Sequence, residues 1–160
     1  MISFILFYLI GIPVSVLLHE LGHALCVVMF SKEEAYVYLG TTNESNKENF
    51  RIGRVTFHIT FAYSGFCAVK NMTNFSIVQS ILFFIGGPIV SVLLFIGAYF
   101  ISAEVTHYGT RNFLNGIIYI NLFLFILTII PIRYPKVLKT YAGFQSDGYQ
   151  ILTLLKGRIN

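Results

Sequence analysis

Charge is scarce in this sequence. Asp, Glu, Lys and Arg make up 11% of its 160 residues, against about 25% in a soluble domain. Hydrophobic residues reach 56% and aromatics 16%, and the mean hydropathy is +0.73. Together these values exclude an ordinary water-soluble fold and a disordered chain. Cysteine is nearly missing: Cys26 and Cys67 are the only two, which excludes a disulfide scaffold. The basic residues form no stripe or arm, so the net charge of +4 does not point to nucleic acid. There is no internal repeat and no low-complexity tract, which weighs against a small transporter built from inverted repeats. No Lys or Arg precedes residue 31. The basic start of a secretory leader is therefore lacking, and the first apolar run is expected to stay in place as a membrane span.

What is present is three long apolar segments. The first covers residues 2–30 and is interrupted by a single acid, Glu20. The second, Ile77–Ile101, and the third, Phe113–Ile132, contain no charge over 25 and 20 residues. Each can cross a hydrocarbon core of about 30 Å as a helix. The Lys and Arg count before, between and after these segments runs 0, 5, 1, 5. The excess of positive charge on the cytoplasmic side then puts the N-terminus outside, and the 31–76 loop and the C-terminal tail in the cytoplasm. Asn43, Asn71 and Asn74 begin Asn-x-Ser/Thr matches, but they fall on that cytoplasmic side and are not read as glycosylation sites.

The 31–76 loop has strand character on both sides of a polar tip, Thr41–Asn49. Ala35–Leu39 is one candidate strand. Arg51–Tyr63 is the other, with Phe57, Ile59, Phe61 and Tyr63 alternating with Thr56, His58, Thr60 and Ala62. A hairpin or small sheet beside the membrane is expected, and its edge would let an extended peptide add as a further strand. After the third span Pro131 stops the helix, and residues 147–159 read as a short helix with a basic end. The expected fold is thus an α-helical integral membrane protein of one domain, residues 1–160: a three-transmembrane-helix core, a membrane-proximal β-hairpin or small sheet, and a short C-terminal helix.

The chemistry sits in the first segment as His19-Glu20-Leu21-Gly22-His23. Residues i and i+4 share one face of a helix, so both imidazoles can reach one metal ion, and Glu20 can reach a water bound to it. An ionisable residue at the centre of a bilayer costs about 2.5–3.5 kcal/mol. Grouping one Glu and two His in a segment that otherwise avoids charge therefore favours metal binding over incidental polarity. Zn2+ needs a third protein ligand and an open position. Glu33, Glu34, Glu44 and Glu48 read as solvated. Glu104 and His107 fall in the outer loop, and His58 in a strand. Cys26 lies about 10 Å along the helix axis from His19 and reads as a packed side chain. Asp147 remains, either as a ligand or as a helix N-cap with Ser146 as rival.

At this point the chain resembles the site-2 protease family of intramembrane zinc metalloproteases. His19-Glu20-Leu21-Gly22-His23 matches that family's HExxH. Gly86-Gly87-Pro88 is similar to its Gly-Gly-Pro element. Asn121 through Pro131, followed by Ser146-Asp147-Gly148, resembles its Asn…Pro…Asp-Gly signature. The resemblance covers essentially the whole chain. It implies that Asp147 is the third zinc ligand and Glu20 the general base. Asn121 is a donor to the oxyanion or to substrate backbone, or equally an interhelical hydrogen bond. Gly86 and Gly87 read as close packing between helices. There are departures: Thr128 stands where the family has a second Asn, 15 residues separate Pro131 from Asp147, and Tyr149 follows Asp-Gly. No PDZ-sized module fits. The resemblance implies a membrane-embedded endopeptidase acting on a transmembrane or membrane-anchored peptide. The alternative is a non-catalytic relative that binds peptides as an export or immunity accessory, although such a protein has no need of Glu20.

Overall fold

The computed structural model describes residues 2–43, 45–137 and 141–157. Glu44, Lys139, Arg158 and Ile159, which enter the readings above, lie outside the described residues.

Three helices are long and apolar enough to cross a membrane: Ile2–Phe30, Ile77–Glu104 and Tyr108–Ile129. The first is a continuous rod of α1 (Ile2–Leu6), a π-helical turn (Phe7–Gly11) and α2 (Ile12–Phe30). The turn widens just before Pro13, which has no N–H to give to the carbonyl four residues back. The Ile12 amide bonds instead to the Phe7 carbonyl. The second long helix, α3 (Ile77–Glu104), starts with a capping box between Ser76 and Gln79. The third, α4 (Tyr108–Ile129), begins five residues before the apolar run does, because the His107 side chain caps the Thr110 amide at 3.2 Å. It ends two residues before Pro131, as proline restricts the residue before it. A short helix α5 (Asp147–Lys156) packs on α3 and α4.

Between α2 and α3 lies one four-stranded mixed sheet rather than a lone hairpin. Its strands are β1 (Ala35–Leu39), β2 (Phe50–Ile52), β3 (Val55–Ile59) and β4 (Gly65–Val69), in the order β2-β3-β1-β4. β2 and β3 form a hairpin turned at Gly53 with φ +57°, inside the stretch read as one strand, whereas the two runs flanking Thr41–Asn49, expected to pair as a hairpin, lie parallel as β1 and β3. β1 runs parallel to β3 and antiparallel to β4. The expected strand over Arg51–Tyr63 is therefore corrected. It breaks at Gly53 and ends at Ile59, and the aromatic alternation through Phe61 and Tyr63 continues in exposed chain. β3 is an inner strand, so the edges open to a partner are β2 and β4.

The sheet sits on the C-terminal half of α2. Ala35, Val37, Val55, Phe57 and Cys67 bury one face against Ala24, Val27 and Phe83. Arg54 fixes the join: its guanidinium donates to the carbonyls of Val28, Ser31 and Glu33 at 2.6, 2.7 and 3.2 Å, satisfying the open end of α2.

The helix bundle is inverted relative to a soluble protein. Ser91 and Asn121 are fully buried at its centre, while Leu93, Phe100 and Tyr119 are 62%, 66% and 70% exposed on its outside. The small and polar residues face inward and the large apolar ones outward.

Candidate metal centre

His19 and His23 lie one turn apart on α2, both buried, and their Nε2 atoms are 3.3 Å apart. Asp147, at the first position of α5, brings Oδ2 to 3.8 Å from His19 Nε2 and 3.6 Å from His23 Nε2. These three are the one group of His, Cys, Asp or Glu among the described residues whose ligand atoms converge in this way. A triangle with those sides has a circumradius of about 2.1 Å, the length of a zinc–nitrogen bond. The donor set of two imidazoles and a carboxylate suits zinc and leaves a fourth position open.

The other ring nitrogens are held from α3. His23 Nδ1 donates to the Phe83 carbonyl at 2.7 Å. A carbonyl only accepts, so this bond puts the proton on Nδ1 and leaves the Nε2 lone pair facing inward. His19 Nδ1 shares a 2.8 Å hydrogen bond with the hydroxyl of the fully buried Ser91. Neither partner stood out in the sequence.

Gly86 and Gly87 do different work. A Cβ on Gly86 would stand 2.5 Å from the Gly22 carbonyl oxygen, and one on Gly22 would meet the Gly86 carbonyl at the same distance. That is the close packing expected of small residues. A Cβ on Gly87 would instead meet Nε2 of both His23 and His19, the second at 2.6 Å. Gly87 thus keeps the space between the imidazoles clear.

The two readings of Asp147 separate at its neighbour. Ser146 is the N-cap of α5, accepting from the Tyr149 amide at 3.2 Å, which leaves the Asp147 carboxylate free to turn to the histidines. The Ser146 hydroxyl also accepts from the Ile132 amide and donates to the Ile130 carbonyl, at 3.1 and 2.6 Å. The start of α5 is so stapled to the end of α4. Gly148 lies against the Ile129 carbonyl, where any Cβ would overlap it.

Glu20 is buried beside the first residue of β4: a Cβ on Gly65 would lie 2.7 Å from Glu20 Cγ and 3.1 Å from its Oε1. Among the described residues no hydrogen bond engages its carboxylate. Tyr141, from the segment between Pro131 and Asp147, reaches the same glycine. Its hydroxyl accepts from the Gly65 N–H at 2.9 Å and donates to the Gly65 carbonyl at 3.2 Å. Burial, with the Glu20 carboxylate adding to it, pushes the Tyr141 phenol up to about 12, so it keeps the proton it donates.

Asn121 stands apart from the three converging ligands. Its side-chain amide donates to the Ser15 hydroxyl at 3.1 Å and to the Ile117 carbonyl at 2.9 Å, while among the described residues its Oδ1 has no partner. The interhelical hydrogen bond is made, one helical turn before His19. Thr128 bonds back to the Leu124 carbonyl of its own helix. Cys67 is packed in the core under the sheet, and Cys26 lies against Gly86. His58 stacks on Tyr38, and Glu34 pairs with Arg51 and Lys70. No family model, curated protein or solved structure matches this chain.

Proposed function

We propose that the chain is a zinc-dependent intramembrane endopeptidase akin to the site-2 proteases. It would cleave a peptide bond in or near a transmembrane segment of a membrane protein or membrane-anchored peptide. The observation that carries this reading is the convergence of His19, His23 and Asp147 on one point about the radius of a zinc–ligand bond, beside the unengaged Glu20. The inverted bundle supports a bilayer environment, since its outer apolar side chains suit lipid and its buried serines and asparagine suit a helix interface. By the distribution of basic residues, the N-terminus lies outside and the site opens toward the cytoplasmic side.

A bound Zn2+ supplies Lewis acidity, lowering the pKa of its water toward about 7 and polarising the scissile carbonyl. His19, His23 and Asp147 hold the ion, with Ser91 and the Phe83 carbonyl fixing the two imidazoles. Glu20 takes the proton of the attacking water and delivers it to the leaving amine. The Gly87 Cα keeps the space before the histidines free. The substrate must arrive extended, because a helix hides its amides, and β4 is the sheet edge that starts beside Glu20.

The test is the metal content of detergent-purified protein, wild type beside Asp147→Ala, followed by Glu20→Gln. About one zinc per wild-type chain is expected, with a clear loss in Asp147→Ala. Glu20→Gln should keep the metal while lowering hydrolysis by about 10²–10⁴-fold. A wild-type chain without zinc after chelator-free purification would move the reading to a peptide-binding accessory. Zinc that survives loss of Asp147 would make the third ligand wrong.

A further inference from the structure

We propose that Tyr141 is a latch on the substrate-receiving edge of β4, so that an incoming extended peptide must displace it from Gly65 before it can reach the metal centre. The inference rests on the protease reading above and adds to it a control carried by Tyr141 and Phe144, just before Asp147.

The hydrogen-bond alternation of the sheet fixes which groups of β4 are free. Gly40 N–H bonds to the Ser64 carbonyl and Lys70 N–H to the Glu34 carbonyl. With the antiparallel register of β1 and β4, this directs the N–H and C=O of Ser64, Phe66, Ala68 and Lys70 toward β1. Gly65, Cys67 and Val69 must direct theirs to the other side. β4 ends the sheet there, so these are the groups an added strand would use. At the position next to Glu20 both groups are already taken, because the single hydroxyl of Tyr141 binds the N–H and the carbonyl of Gly65. It makes the same two hydrogen bonds that one residue of a paired strand would make.

The tie is also of a kind that can open. Among the described residues it is the only hydrogen-bonded link between the Pro131–Asp147 segment and the sheet, supported by the Phe144 ring tilted on Phe66 at 6.0 Å. A substrate backbone can replace it bond for bond. A cavity of about 220 Å³ lies beside it, between residues 40–43 and the rings of Tyr141 and Phe144. That is below the roughly 300 Å³ at which small-molecule pockets begin, and it gives the tyrosine ring a place to go. A substitution on the Gly65 side is not a useful probe, since its Cβ would collide with Glu20 and Val16.

The experiment uses Tyr141→Phe in the full chain, which keeps the ring and removes both hydrogen bonds. Three measurements are made on zinc-loaded protein in detergent: amide exchange at Gly65, binding of trileucine hydroxamate, and binding of acetohydroxamate. The small compound reads the metal site alone, and the trileucine compound reads the edge as well. The latch predicts that Tyr141→Phe exchanges the Gly65 amide about tenfold faster and binds trileucine hydroxamate about tenfold more tightly, for two hydrogen bonds of ordinary net strength. Binding of acetohydroxamate should not change. Phe144→Ala, which loosens the same segment and leaves the hydroxyl, should move both in the same direction by less, and it carries the test if Tyr141→Phe fails to fold. Unchanged or weaker trileucine binding with acetohydroxamate binding intact overturns the latch and leaves the protease reading standing. Failure of acetohydroxamate to bind the zinc-loaded wild type overturns that reading, and the latch with it.

Discussion

The Cα of Gly87 faces His19 so closely that a methyl group added to it would stand 2.6 Å from the imidazole Nε2. The α3 backbone is therefore one wall of the candidate metal centre, and Gly87→Ala should close it. The expected result is a fall in bound zinc from about one per chain to a small fraction. Gly97→Ala, where a Cβ meets nothing within 4 Å, should leave metal content as it is. Equal metal content in the two variants would show that the histidines do not hold an ion on the face that Gly87 lines.

Ser91→Ala removes the hydrogen bond that orients His19 while leaving all three ligands in place. Loss of such a supporting partner weakens metal binding by about 10–100-fold. Titration against a chelator should find Ser91→Ala losing zinc at a correspondingly lower chelator concentration than the wild type. An unshifted titration would make the His19–Ser91 contact incidental.

Asn121 offers a direct separation of two roles. As the interhelical tie to Ser15, its replacement by Leu should lower stability by about 0.5–2 kcal/mol and leave zinc bound. As an oxyanion donor, the same replacement should lower hydrolysis by about 10²–10³-fold with stability nearly unchanged. The hydrogen bonds to Ser15 and Ile117 predict the first result. Thermal unfolding and hydrolysis measured on one preparation decide it.

Features set by residues close in sequence were legible before any coordinates. The three long helices follow from runs without charge, and the His19–His23 pair from a spacing of four on a helix. Asp147 was not decidable from its own surroundings, since an acid at a helix start can cap or ligate. In the structure the Ser146 hydroxyl occupies the cap, and the Asp147 carboxylate lies beside the two histidines. The sheet was half legible. Gly65-Phe66-Cys67-Ala68-Val69 has no alternation and opens on glycine, so β4 gave no strand signal, whereas Phe61 and Tyr63 continued a pattern of two past the end of β3. The parallel pairing of β1 with β3 depends on contacts no local pattern encodes.

Ser91 is marked in the sequence by its spacing. Ser80, Ser91 and Ser102 recur every 11 residues along α3, about three turns, and all three are buried. In a span of large apolar side chains, small polar residues at that interval mark the face turned to the other helices. Gly87 and Pro88, also buried, lie in the middle of the same continuous helix. Read together, the five positions mark the face of α3 turned to the rest of the bundle, with Gly87 and Ser91 meeting α2.

Asp147 is attached to the rest of the centre through Ser146, whose one hydroxyl joins the end of α4 to the start of α5. The ribosome delivers that aspartate only after all three long helices have been made. Until then the nascent chain holds two imidazoles and no third corner, so an ion met early finds an incomplete site. On the proposed function, capture of the metal would belong to the last stage of biogenesis, and a chain stalled in its third helix would lack the third ligand.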